Sequence, residues 1–258
     1  MSIAVVFDVD GVLVDSPHER AWREALTRLV EGEWSDVAAD TRYRGDAFDT
    51  ALYQERVAGK PRMGGARAVL EHFGFPEPEI RATQYAREKQ RLLEELIAAG
   101  AWHPFPDALR LVAELRRHHV HLAAASSSKN ANDMMRRIPL QTSESAGIGS
   151  ESPPSRTLMD CFDANVCGRD VEKGKPSPDL FLLAAGELAV SPHECVVVED
   201  APAGVIAAKS GGMKAIGVAR QRDEFILDAS GADLVVVSLD EVAVEPLLSG
   251  ELTSRRRD

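Results

Sequence analysis

The chain has 258 residues, 44% of them hydrophobic and 28% charged, with a formal net charge of −11 at pH 7. This composition predicts a soluble globular protein with one large core or two unequal domains. It argues against a membrane partner, because no apolar run is long enough to span a bilayer, and against a nucleic-acid partner, because Lys and Arg are not in excess.

The first predicted element is a buried strand over residues 3–7, which ends abruptly in Asp8 and presents a second carboxylate at Asp10. Side chains on a strand repeat every second residue, so Asp8 and Asp10 leave its end toward the same side. Gly11 then allows a turn. Residues 16–30 read as a helix, with Ser16 as cap, Glu19 completing an S-x-x-E capping box, and Trp22, Leu26, Leu29 and Val30 as the apolar stripe. Helical periodicity continues to residue 100 without a convincing strand, broken at Gly59–Arg62, at Gly64-Gly65 and at Gly74–Pro76; helices are expected over 65–73 and 79–99.

From His103 the pattern changes. A helix over 107–117 leads to a strand over 120–125, and short apolar runs at 164–167, 195–198, 215–218 and 234–237 alternate with helices near 178 and over 202–210. That alternation predicts an α/β fold, a Rossmann-like doubly wound parallel sheet with an inserted small α-helical domain. The core is residues 1–15 and 101–258, and the helical insert is residues 16–100. The Ser, Gly and Pro-rich segment 139–157 is read as a flexible loop within the core. Cys161, Cys167 and Cys195 are odd in number and lack paired metal-ligand spacing, so they are read as buried thiols of a reducing cytoplasm.

In such a sheet the carboxyl ends of the strands hold the site. Four groups fall there: Asp8 and Asp10; Ser126-Ser127-Ser128-Lys129-Asn130, hydroxyls at a helix start suited to an anion; Lys175 in G-K-P; and Glu199-Asp200. Singly, Asp200 or Ser126 would most often be a helix cap and Lys175 a solvated side chain. Together, four acids at one edge repel each other and any phosphate by several kcal/mol per pair, about 4 kcal/mol at 4 Å in a surface cleft. A lysine and a divalent cation remove that cost. Oxygen ligands without His or paired Cys point to a hard ion, Mg²⁺, bound partly by substrate phosphate.

D-x-D-G-V-L-V-D, a strand ending in Ser, K-P before a helix, and E-D-x-x-x-G resemble the four motifs of the haloacid dehalogenase superfamily, over nearly the whole chain. The resemblance implies that the insert is a cap domain. It also implies an aspartyl-phosphate mechanism, with Asp8 as nucleophile, Asp10 as acid and base, and Ser126 and Lys175 on the transferring oxygens. The metal would be carried by Asp8, the Asp10 carbonyl and Asp200, with Glu199 as an outer or water-mediated ligand. Three further matches, H-x-R-A-W at His18–Trp22, G-x-x-R at Gly59–Arg62 and S-x-S-K-N at Ser126–Asn130, resemble the β-phosphoglucomutase branch.

By that likeness Arg62, Ser128 and Asn130 would grip a second phosphate, Lys129 would also bind substrate, Lys89 would lie near the sugar and the transferred phosphate, and a neutral His18 would meet Asp10. The expected activity is therefore Mg-dependent phosphoryl transfer on a small sugar phosphate, as a hexose-phosphate mutase. A sugar-phosphate monophosphatase is the alternative, and a non-catalytic phosphoacceptor module a third reading. The hinge before His18 is two residues shorter than in the mutases, and Met63-Gly64-Gly65 stands where they carry acidic and hydroxyl residues.

Overall fold

In the computed structural model, residues 3–140 and 156–255 are described. Taken along the chain, β1 (Ala4–Phe7) and β2 (Val14–Asp15) are followed by five helices: α1 (His18–Glu31), α2 (Ser35–Ala38), α3 (Thr50–Arg56), α4 (Arg62–Phe73) and α5 (Pro78–Ala98). The core resumes with β3 (His103–Pro104), α6 (Pro106–Arg117), β4 (His121–Ala124), α7 (Ala131–Arg136) and β5 (Ala164–Asn165). It continues with α8 (Asp179–Glu187), β6 (Cys195–Glu199), α9 (Pro202–Ser210), β7 (Lys214–Val218), α10 (Glu224–Ala229), β8 (Leu234–Val236) and α11 (Val244–Leu248).

Six strands form one parallel sheet in the order β5-β4-β1-β6-β7-β8. β1 is central, with β4 and β6 on its two sides, and the chain reverses its direction of winding there. That is the switch point at which open α/β sheets bind ligands. Alternate side chains feed opposite layers. Val5 and Phe7 of β1 join Val196 and Val198 of β6 in one apolar core, with Leu111, Leu115, Met134 and Met135. Ala4 and Val6 face the other way, with Val197, Phe181, Ala184, Val205 and Ala208. The fold class read from the sequence is the one observed.

The helical insert leaves the core at Asp15 and returns at His103. These crossings lie side by side, because β2 and β3 pair antiparallel with Val14 opposite Pro104 and Asp15 opposite His103. Inside the insert the Trp22 and Tyr85 rings meet edge to face with centroids 4.9 Å apart, and Tyr85 Oη donates to the Trp22 carbonyl at 2.9 Å. Among the described residues no helix is long and apolar enough to cross a membrane.

Several local expectations need correction. Ser16 does not cap α1: Pro17 holds the cap position without a side-chain bond, and Glu19 instead accepts from Arg23 and Thr50. The extended β2 pairing runs through Asp15, which leaves Ser16 one residue too early to cap. The Gly64-Gly65 pair does not start α4 but lies inside it, and Gly65 lets the helix approach Trp22 and Val57 closely. Cys161 is only half-buried, whereas Cys167 and Cys195 are buried; all three are free thiols. Residues 141–155 of the expected loop lie outside the described residues, while its margins pair, Pro139 with Thr157.

Asp107, near the start of α6, ties that helix to the chain after β8. Its buried carboxylate accepts from Ser238 Oγ at 2.9 Å and Leu239 N at 2.8 Å, and pairs with Arg220 at 2.6 Å. Burial pushes its pKa up, but the bonds from Arg220, Leu239 and Ser238 outweigh that and hold it below 3.8. A depressed carboxyl pKa stabilises the fold above its unfolded value, and that stability is lost as pH falls through the folded one. Asp107→Asn should therefore cost roughly 1–3 kcal/mol in urea unfolding at pH 7, and its deficit relative to the parent should shrink once the pH drops below about 4.

Candidate active site

Asp8 follows the last residue of β1, where its N–H donates to the Val198 carbonyl of β6, and Ala125 N–H donates to Phe7 from the β4 side. The strand register thus delivers three chain segments to one edge. Lys175, fully buried in the G-K-P loop before α8, donates to Asp8 Oδ1 at 2.6 Å and also to Glu199 Oε1, and sits 4.7 Å from the Phe181 ring centroid. Glu199 turns its other oxygen to the N–H groups of Asp200 and Ala201, 3.0 Å each.

Burial raises the Asp8 carboxyl pKa, and Glu199 and Asp10 add to the rise against the pull of Lys175. Asp200 is raised by burial, then by Glu199 and Asp8. Lys175 loses by desolvation but gains more from its two carboxylates, so it stays charged. Two glycines make the cluster possible. A Cβ on Gly11, at φ +88°, would overlap the Asp200 carboxylate, and one on Gly204 would overlap Glu199 Oε1. The last glycine of E-D-x-x-x-G is thus a space requirement.

Asp10 is reached from both layers. Ser126 Oγ donates to its Oδ2 at 2.9 Å, and His18 Nε2 of α1 lies 3.4 Å from its Oδ1, an atom that is buried and without a hydrogen bond among the described residues. His18 Nδ1 is 3.2 Å from Lys89 Nζ of α5, and its Nε2 is 3.5 Å from Ser128 Oγ. Burial, reinforced by Lys89, lowers the His18 pKa to about 4, so the ring is neutral at pH 7. Burial likewise lowers Lys89 to about 7; its ammonium stands 5.2 Å from the Trp22 ring centroid.

Arg62, at the first turn of α4, lines the same cleft with Ser128, Lys129 and Asn130. Ser128 Oγ accepts from Asn130 N at 3.3 Å; Lys129 is exposed and lies 3.7 Å from Asp170. Every site residue expected from the sequence except Glu199, which lies beneath Lys175, lines this one cleft. Lys60 also lines it, with its ammonium donating to the Glu55 carbonyl at 3.2 Å. The insert closes down on the core here: a Cβ on Gly174 would overlap the Pro61 ring, and Gly59 comes close to Ala201 and Ala203.

Sequence reasoning does not bring Tyr53, Trp22 or Arg169 into the cleft. Tyr53 of α3 faces Asp200, Asp10, Glu19 and Asp8, whose charges add to burial in raising its pKa. Trp22, the last residue of H-x-R-A-W, is expected in the apolar stripe of its helix and also lines the cleft. Tyr53 and Arg169 sit in no recognisable motif.

The oxygen donors of Asp8 and Asp200 suit a hard cation. Among the described residues no three acidic, imidazole or thiol side chains are grouped to hold a metal by themselves. From Val9 to Val14 the carbonyls of Val9, Gly11, Val12, Leu13 and Val14 accept hydrogen bonds, and only that of Asp10 receives none among the described residues. A backbone oxygen left open two residues after Asp8 is free to serve as a metal ligand.

A family model described as haloacid dehalogenase-like hydrolase matches residues 4–212. The chain is 31% identical over 246 residues to a β-phosphoglucomutase of Bacillus subtilis, covering 95% of this chain and 93% of that one. It is 33% identical over 218 residues to a probable pseudouridine-5'-phosphatase of Drosophila melanogaster, covering 83% and 80%. Among solved structures, an archaeal β-phosphoglucomutase from a hyperthermophilic Pyrococcus superposes with TM-score 0.70 at 29% identity, covering 96% and 97%. A family match over most of the chain, full-length likeness to a mutase, and four motifs meeting at the end of a central strand lead to one conclusion: the chain belongs to the haloacid dehalogenase-like hydrolases.

Proposed function

We propose that this enzyme moves a phosphoryl group on a small sugar phosphate through a phosphorylated Asp8, as a hexose-phosphate mutase of the β-phosphoglucomutase type. The observation that carries this reading is the pair of charged poles in one cleft. Asp8 with Lys175 lies at the sheet edge, and Arg62 and Lys89 of the helical insert line the same cleft with Ser128 and Asn130. A monoester hydrolase needs one phosphate pole, whereas a mutase working through a bisphosphate needs two. The guanidinium suits a phosphate held by two oxygens. The helical insert, residues 16–100, then acts as the cap.

In the first half-reaction an Asp8 carboxylate oxygen bonds to phosphorus as the ester bond breaks, and Asp10 gives its proton to the leaving sugar oxygen. In the second, the acceptor hydroxyl loses its proton to Asp10 as its oxygen takes the phosphoryl group from Asp8. Lys175 pulls the Asp8 pKa down against burial, toward the carboxylate that attacks phosphorus, and Ser126 orients Asp10. Neutral His18 meets Asp10 without forming an ion pair with it. Mg²⁺, held by Asp8, Asp200 and the Asp10 carbonyl with Glu199 supporting from outside, would neutralise charge on the phosphoryl oxygens. Free thiols at all three cysteines fit a reducing compartment such as the cytoplasm.

The similarity to a phosphatase at about the same identity favours hydrolysis as the second reading. With Mg²⁺, β-glucose 1-phosphate and a trace of glucose 1,6-bisphosphate, the expected product is glucose 6-phosphate; free phosphate in its place would overturn the mutase reading. Asp10→Asn should lower turnover of the ester by about 10²–10⁴-fold, the range for a lost general acid and base, and unchanged turnover would leave Asp8 a passive phosphoacceptor.

Lys89→Met separates binding from folding. Removing a buried charge should raise the thermal midpoint by roughly 2–6 °C, while KM for the sugar phosphate rises.

A further inference from the structure

One side chain outside the cleft grips the loop that follows Asp10. Arg220 stands just beyond β7, with its side chain 12% exposed. Its Nη2 donates to the Val12 carbonyl at 3.2 Å, and Nε reaches the Gly11 carbonyl at 3.4 Å. The same guanidinium forks onto Asp107, with Nη1 to Oδ2 at 2.6 Å and Nη2 to Oδ1 at 3.1 Å, and lies 3.9 Å from the Phe105 ring centroid. Two segments that are far apart in sequence, Gly11-Val12 and Phe105–Asp107, therefore converge on one planar cation.

What it joins gives the cluster its meaning. Residues 9–14 form a single turn, closed by Leu13 N and Val14 N onto the Val9 carbonyl and by Gly11 N onto Val14. That turn leaves the carbonyls of Gly11 and Val12 pointing away from it, and Arg220 takes both. Phe105 N takes the Leu13 carbonyl at 3.0 Å. Asp107 follows directly on the second crossing between insert and core, and it is itself fixed by Ser238, Leu239 N and its own helix start at Ala108 N. The loop that begins at Asp10 is thus fastened, through one guanidinium, to the rigid start of α6. A lysine cannot reproduce this fork, because a single ammonium cannot span two carbonyls and a bidentate carboxylate.

We propose that Arg220 is a positioning residue for Asp10: its hold on the carbonyls of Gly11 and Val12 and on Asp107 fixes the backbone that aims the proton-carrying carboxylate. This rests on Asp10 acting as the acid in phosphoryl transfer. Loosening the loop displaces Asp10 without removing Asp8, Lys175 or Ser126. The loss should therefore fall on substrates whose leaving oxygen needs a proton.

Two aryl esters of similar shape read this directly. Phenolate is a strong base and leaves with the help of a proton; p-nitrophenolate leaves without one. Arg220→Gln should lower kcat/KM for phenyl phosphate by about 100-fold, the cost of a misplaced catalytic group, and for p-nitrophenyl phosphate by less than about tenfold, since it is spared the proton donor. Arg220→Lys should show the same bias at smaller size. If the Gln variant fails to fold in a thermal melt, the Lys variant carries the test. Equal losses on both esters would make Arg220 a brace of the fold, and no loss would make it idle; either result overturns the proposal.

Asp10→Asn, measured alongside, must widen the same ratio, and Asp8→Asn must abolish turnover of both esters. Failure of either control refutes the phosphotransfer reading itself and the proposal with it, whereas success of both with an unbiased Arg220 variant refutes the proposal alone.

Discussion

Everything at the sheet edge depends on one ammonium group. Lys175 is buried between Asp8 and Glu199, and Asp200 crowds the same space. Two carboxylates about 4 Å apart repel by about 4 kcal/mol at the effective dielectric of a protein site, and burial adds the loss of hydration for each. Lys175 offsets part of the rise that burial imposes on Asp8 and Asp200; without it both acids would hold their protons more tightly still, which opposes nucleophilic chemistry at Asp8. The arrangement also dictates neighbouring residues with no charge of their own. Gly204 must lack a side chain because Glu199 fills that volume, and Gly11 must because Asp200 does. A short sequence motif is here the imprint of packed charges.

The opposite side of the cleft follows a different rule. The cations of the helical insert are held unfavourably: Lys89 is buried against Trp22 and loses much of its proton affinity. His18 beside it is kept neutral. Among the described residues the Lys89 ammonium meets the neutral His18 ring and the Trp22 face, and it is paired with no carboxylate. A phosphate dianion entering the cleft would supply an anionic partner, and part of the cost of burying Lys89 would return as binding energy. In a chain with net charge −11 the cleft is a local exception, with Lys60, Arg62, Lys89, Lys129, Arg169 and Lys175 set against four aspartates.

What the sequence disclosed and what it hid divide along the range of the interactions. Strands ending in Asp8, Ser126 and Glu199 were legible because apolar runs and terminal polar residues are adjacent in the chain, and the six-stranded parallel sheet followed from their alternation with helices. Asp8, Asp10, Ser126 and Asp200 meet at one place for the same reason, whereas His18, Arg62 and Lys89 of the insert are legible only through likeness to a known family. The capping role of Ser16 failed because it was judged by local propensity, while the two-residue pairing of β2 with β3 settled where α1 begins. Tyr53 and Arg220 were invisible. Tyr53 reaches the acids from a short helix whose position is set only by packing, and Arg220 finds Asp107 and Gly11 across more than a hundred residues of chain. No periodicity or motif encodes such encounters.

The pairing of Asp15 with His103 places the exit and return of the helical insert next to each other. A segment whose two ends meet in one short ladder is, topologically, a detour: the core closes whether the excursion is long or short, helical or not. Selection can exchange the insert for another, or trim it, while strand register, acids and lysine stay untouched, so divergence within such a lineage should be written in the detour while the sheet edge stays constant.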